Sequence, residues 1–414
     1  MPSFDLLTTA IVLVVLFGAV MSICGYLTLA ERKVSAWMQD RVGPNRVGPM
    51  GLLQPLADGG KMFLKEEVIP KHVDKVFYLL APAIAVGTAL LAIAVVPFGA
   101  TTAAPDPVPV TAGAVDTFNA NQTAYAKSFS FVLAPGLDVG MLYTFAIGSL
   151  AVYGVILAGW SANNKYSLLG SLRSSAQIIS YEIPLGMAVL GVVLMAGSLN
   201  LEKIIAWQNS QGYWAVLIQP LAFLLFMTSV AAECSRLPFD LPEAEQELVG
   251  GYHTEYSSMK LGLMLLAEYV HMVTVSFMMA VAFFGGWTLF GLETIAEGNV
   301  VVNGIIKTLI LGGKMGAFCV FFLLVRWTIP RFRFDQLMNL AWKVMMPLAL
   351  LNLLCVMTVK QLGAPTWVLT LTSLVLFVGA GMVSLKLSGS VTNPKRPVKK
   401  LPPGLPAGVT YAGR

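Results

Sequence analysis

Nine stretches of roughly 20 mostly apolar residues recur along this chain, and nothing else in it restricts the fold so tightly. They are 6–29, 76–98, 138–160, 176–198, 214–232, 259–287, 307–328, 337–359 and 367–388. Hydrocarbon offers a backbone no hydrogen-bond partner, so each stretch is predicted to be an α-helix. The expected fold class is an all-α polytopic membrane protein with about nine transmembrane helices. Charged residues make up only 12% of the chain, half the share usual for a soluble domain. The first stretch reads as a retained span. It is too long for a signal sequence, lacks a basic leader, and is followed by basic residues rather than a small-residue cleavage site.

The cations sort by side. If 30–75 faces the cytoplasm, that side carries 18 Lys and Arg against three in the opposite loops. The positive-inside rule then puts the N-terminus outside and the C-terminus in the cytoplasm. Residues 1–392 form a single transmembrane domain on this reading, with cytoplasmic loops 30–75 and 233–258 and an Ala-, Thr- and Pro-rich external insertion at 99–137. Residues 393–414 form a basic, Pro-rich tail suited to anionic lipid. The net charge of +5 needs no nucleic acid to explain it.

Several functions are excluded. Cys24, Cys234, Cys319 and Cys355 are scattered, so neither a disulfide framework nor a metal site is expected. His72, His253 and His271 lie far apart and read as structural. No dinucleotide fingerprint, P-loop or cysteine set for an iron–sulfur cluster or haem is present. Electrons for any redox reaction must come from partners.

The acidic segment 233–255 stands out in this apolar chain. It gathers Glu233, Asp240, Glu243, Glu245, Glu247 and Glu255 around one cation, Arg236. The bland reading is a solvated loop. Leu237, Phe239, Leu241 and Leu248 argue instead for a folded loop against a cavity, where crowded carboxylates can exchange protons near neutral pH. Glu182 lies inside the fourth predicted span beside Pro184, which can open the helix there. Glu268 and His271, three apart in the sixth span, can face each other as a self-satisfied pair or take part in function. Lys260 and Lys343 suit snorkelling, whereas Lys314 lies deep enough to join a proton relay.

In the first loop, Gly43 to Pro49 cannot continue a helix, and 50–67 is predicted to be an amphipathic helix on the membrane surface, weakened by Gly59-Gly60. Arg32, Arg46 and Asp58 can border a portal for an amphiphile arriving from lipid.

The motifs then fall in a familiar order. Ala30-Glu31-Arg32-Lys33, Arg41 to Pro49, Leu53 to Asp58 and Lys61 to Glu66 come first. Gln177 to Glu182, Ala232 to Glu245 and Glu247 to Tyr256 follow. Together they resemble the quinone-chamber membrane subunit family of the proton-pumping NADH–quinone oxidoreductase, respiratory complex I. The resemblance implies a bacterial inner-membrane protein that walls the quinone chamber and its opening to lipid, beside other membrane-arm subunits and the quinone-reducing hydrophilic subunits. It implies quinone as substrate, no cofactor or metal on this chain and no catalytic residue in it alone, with FMN and iron–sulfur clusters in partner subunits. It assigns Arg32, Arg46, Gln54, Asp58, Lys65, Arg236, Phe239 and Asp240 to the chamber and portal, and Glu182, Glu233, Glu243, Glu245, Glu247 and Glu255 to proton coupling. Three rivals remain: the homologous component of a membrane-bound hydrogenase, an ion antiporter, and a scaffold for the hydrophilic arm.

Overall fold

The computed structural model describes residues 6–99, 131–132, 137–240, 249–289, 291–292 and 300–390. Glu243, Glu245 and Glu247, nearly all of the insertion, and the 393–414 tail lie outside them. The described chain is almost wholly helical. Its one sheet is a short antiparallel pair, β1 (Pro97–Gly99) with β2 (Phe131–Val132).

α1 (Leu6–Met38) runs nine residues beyond the predicted end of the first span. Glu31, Arg32 and Lys33 therefore stand on a rigid helix rather than in a loop. The chain then turns sharply. Gly51, at φ 79°, brings its Cα so close to the Pro44 carbonyl that a side chain would overlap it. α2 (Gln54–Leu64) follows, within the stretch whose pattern predicts an amphipathic helix. None of its residues is fully buried, and Leu56, Phe63 and Leu64 are 71%, 73% and 90% exposed. An apolar face this open has lipid or a partner as its natural cover.

α3 (Lys75–Ile93) starts on an Asp74 cap, whose side chain accepts from Val76 N. α4 (Gly140–Ser161) and α5 (Lys165–Ala196) pack as an antiparallel pair, and α5 stays continuous through Pro184. The expected opening beside Glu182 is absent there, because a transmembrane helix can absorb one missing donor. α6 (Leu201–Gln211) is a short helix capped by Asn200.

The fifth predicted span is broken. α7 (Ala215–Ile218) and α8 (Pro220–Glu233) are separated at Gln219, whose φ −125° and ψ 62° leave the helical region. Pro220 supplies no N–H to bridge the gap. Gln219 Nε2 reaches instead to Gly191 O on α5, at 3.2 Å. α9 (Ser258–Phe283) is the central helix: 72% of its apolar window is buried, against at most 50% for any other span. α10 (Val300–Thr328) flanks it. α11 (Phe334–Asn339) passes through a π-helical turn at Leu340–Met345 into α12 (Met346–Gln361), and α13 (Trp367–Ser390) closes the described chain.

Seven helices are long and apolar enough to cross a membrane among the described residues. The fifth and ninth predicted runs are helical too: α8 has 14 residues after the break at Gln219, and α13 has 24. The molecule is an all-α polytopic membrane protein. Lys314, deep enough in sequence to join a relay, donates to three carbonyls, Phe284 O at 2.6 Å, Gly286 O at 2.9 Å and Thr288 O at 2.6 Å. Its ammonium caps the C-terminal end of α9, where the helix dipole is negative.

Candidate functional site

Four elements meet around Glu31. The α1 carboxylate receives Arg236 Nη1 at 2.9 Å and Tyr269 OH from α9 at 2.7 Å on one oxygen, and Arg326 from α10 on the other. The Arg236 guanidinium also lies over the Tyr269 ring, 4.2 Å from its centroid. Its side chain is only 5% exposed. Burial pulls the Arg236 pKa down, but Glu31 and then Tyr269 and Glu268 overcome it, and the group is held protonated above its usual range.

Arg236 reaches this position because the loop after α8 is strapped down. Buried Gln177 on α5 donates to both Ala232 O (2.7 Å) and Phe239 O (2.8 Å). Phe332 N donates to Pro238 O at 3.1 Å, and Arg331 holds the Asp240 carbonyl. Phe239 sits between Tyr181 and Phe332, with ring centroids 5.5 Å away on each side.

Beside Glu31 opens a cavity of about 530 Å³ between α1, α2, α9 and α10. Its lining combines the charged side chains Glu31, Arg32, Asp58, Arg236, Glu268 and Arg326 with Gly25, Pro55, Gly59, Met62, Leu265 and Leu266. Arg32 Nη1 binds Asp58 Oδ2 at 2.6 Å, and Gln54 Nε2 donates to the other Asp58 oxygen at 3.0 Å. α2 is tied at its far end as well. Ser258 Oγ donates to Met62 O and Lys65 O, at 3.0 and 3.1 Å, and Lys260 pairs with Glu67 at 3.0 Å.

Behind it lies a smaller cavity of about 70 Å³, lined in part by Glu233, Tyr252, Glu268 and His271, with room for a few waters. His271 Nε2 lies 3.3 Å from Glu233 Oε1. Tyr252 OH donates to Glu268 Oε1 at 3.3 Å, and His253 Nε2 approaches the same oxygen at 3.7 Å. Glu268 lines both cavities. Ser149 on α4 donates to Glu182 on the neighbouring α5.

The structure therefore brings Arg32, Asp58 and Arg236 together at the larger cavity and places Glu233 at the smaller one. Gln54 joins through Asp58 and, with Arg46, lines an adjoining groove under the Gly43–Asn45 turn. Three other residues expected in the chamber line neither the cavity nor that groove. Phe239 is packed into the core, Asp240 joins the strap through its carbonyl, and Lys65 contributes its backbone oxygen. Glu255 lies apart, accepting from Asn164 Nδ2 at 2.8 Å. Glu268 and His271 do not pair with each other; each faces a residue from the 233–255 segment. Glu31, Tyr269 and Arg326 are not among the site residues expected from sequence, although an arginine late in an apolar helix is a usable signal for Arg326.

A profile of the NADH dehydrogenase family matches residues 10–357. The chain belongs to the NADH dehydrogenase family. The match covers every residue lining the two cavities. Among its relatives, an NADH-quinone oxidoreductase H subunit of Cytophaga hutchinsonii is 45% identical over 349 residues, 84% of this chain and 95% of that protein. The corresponding protein of Leptospira biflexa, of the same name, is 47% identical over 337 residues, 80% and 89% of the two chains. One from Geobacter sulfurreducens is 45% identical over 342 residues, 82% and 92%.

Proposed function

We propose that this NADH dehydrogenase family member is the membrane subunit that walls the quinone chamber of an NADH–quinone oxidoreductase and couples quinone reduction to proton translocation. The observation that carries this reading is the pair of cavities joined at Glu268. The larger brings cations and apolar side chains to one space, the mixture an amphiphile needs. The smaller collects two carboxylates and one imidazole, Glu233, Glu268 and His271.

Quinone reduction to quinol takes two electrons and two protons. The electrons come from partner subunits carrying FMN and iron–sulfur clusters, and this chain supplies the electrostatic surroundings. Negative charge developing on a reduced quinone attracts Arg236 and Arg326, which are otherwise committed to Glu31. Loosening those pairs changes the field at Glu268, and the carboxylates beyond it answer as a coupled group by shifting protons. Glu182 and Glu233 belong to that group, with Glu243, Glu245, Glu247 and Glu255 from the acidic segment. The quinone names of the relatives favour this reading over a hydrogenase component. The setting is a bacterial inner membrane, with the N-terminus outside, residues 1–392 as one membrane domain, and 393–414 as a cytoplasmic tail.

A photoreactive quinone tests the chamber. Labels on the cavity wall, at Met62 or Leu265, are expected in the assembled enzyme; labels confined to lipid-facing helix surfaces would overturn it. Glu182→Gln and Glu245→Gln test the coupling. Each is expected to leave the complex assembled while lowering quinone turnover and pumping. A variant with full turnover and full pumping removes that residue from the route, and loss of assembly alone would favour a scaffold.

A further inference from the structure

The face of α2 toward the larger cavity is the stripe Pro55, Asp58, Gly59 and Met62, spaced i, i+3, i+4 and i+7. Gly59 sits at its centre. A glycine inside a helix costs about 1 kcal/mol relative to alanine, so its presence needs a cause. Neither usual cause applies. Gly59 is not in the left-handed region, and a Cβ placed on it would meet nothing within 4 Å. Within this chain no turn and no close neighbour demands the missing side chain.

The opposite walls differ. On α9, a Cβ at Gly262 would lie 2.5 Å from Met62 Sδ, and on α1, a Cβ at Gly25 would lie 3.4 Å from Pro55 Cβ. Those glycines let α2 settle close to its neighbours. Where α2 is drawn in at Pro55 and Met62, Gly59 between them leaves the passage open. Arg32–Asp58 at mid-helix and Ser258 at the C-terminal end of α2 hold the helix in place beside that room.

The geometry points to Gly59 as the specificity-determining position for the substrate's tail: its absent side chain sets the bore through which a long isoprenoid chain lies while the head group reaches the arginines. The inference rests on the quinone reading of this cavity and adds a residue and a selectivity to it. Gly60, one position on, supplies the control. It shares the helix and the open surroundings but is exposed and does not line the cavity.

The test uses membrane vesicles holding the assembled enzyme, with NADH as donor. Two benzoquinones of identical head group serve as acceptors, one with a full isoprenoid tail and one with a single isoprene unit. The readout is the ratio of their KM values. Gly59→Leu is expected to raise KM for the long-tailed quinone about tenfold more than for the short one, the effect of overfilling a packed passage by somewhat over 1 kcal/mol. Gly59→Ala is expected to shift the ratio the same way by less, and it carries the test should the leucine variant fail to assemble. Gly60→Leu is expected to keep the wild-type ratio. An unchanged ratio in both Gly59 variants, or an equal shift in Gly60→Leu, overturns the assignment. Photolabelling of wild type separates the two ideas: label in the cavity with an unchanged ratio removes only the role of Gly59, whereas no label there removes the quinone reading as well.

Discussion

Glu31 holds two arginines that lie 205 and 295 positions away in the chain. Its neighbours in sequence, Ala30 and Arg32, give no hint of this, because the partners arrive from a loop and from α10 only after the helices pack. The node is expensive to disturb. Removing one member of a buried pair strands the other, at about 3–5 kcal/mol. Glu31→Gln is expected to lower the thermal inactivation temperature of the detergent-purified complex markedly. Adding Arg236→Met to it should restore part of the loss, since a buried apolar side chain needs no counter-charge. Equal inactivation temperatures for wild type and Glu31→Gln would remove the node from the stability account. By contrast, Arg32 and Asp58, which pair at 2.6 Å, stand among the residues that sequence groups, with Arg46, as candidates at a portal.

The helices themselves are readable from apolar run length, since lipid leaves a buried backbone one solution. Their breaks are not. Pro82 and Pro184 sit inside continuous helices, while Pro220 follows a real break. What decides is whether another element satisfies the freed groups, and Gln219 reaching across to Gly191 is a tertiary fact. Small residues mark such crossings. A Cβ on Gly191 would lie 2.7 Å from Gln219 Oε1, the end of a side chain able to move. On Gly159 of α4 it would lie 2.8 Å from the Ser167 carbonyl and overlap the Ser171 hydroxyl of α5. Both alanine substitutions are therefore predicted to destabilise, by about 1–3 kcal/mol, with Gly159→Ala the worse because a backbone must shift. Heat-induced loss of the folded protein from detergent extracts checks the order; Gly191→Ala as the more harmful variant would contradict it.

Across the whole molecule, charge asymmetry decides orientation. The distribution of 18 cations against three predicts cytoplasmic placement of the Arg32–Lys75 region and of the C-terminus. Enzymatic reporters fused after residue 414 and within 99–137 should report opposite sides of the membrane, and the same side for both would reverse or break the topology. The acidic segment is conspicuous because carboxylates are scarce in this chain, yet sequence cannot divide its members. Glu233 faces His271 across the small cavity, whereas Glu255 is held by Asn164 at the start of α5. Which carboxylate meets which partner depends on how the loop folds back.

Glu268 borders two rooms at once, and it has only one charge to show them. A substitution at that one position alters the lining of both spaces together. The two compartments thus share one side chain as a common wall, with the arginines on one side and His271 on the other.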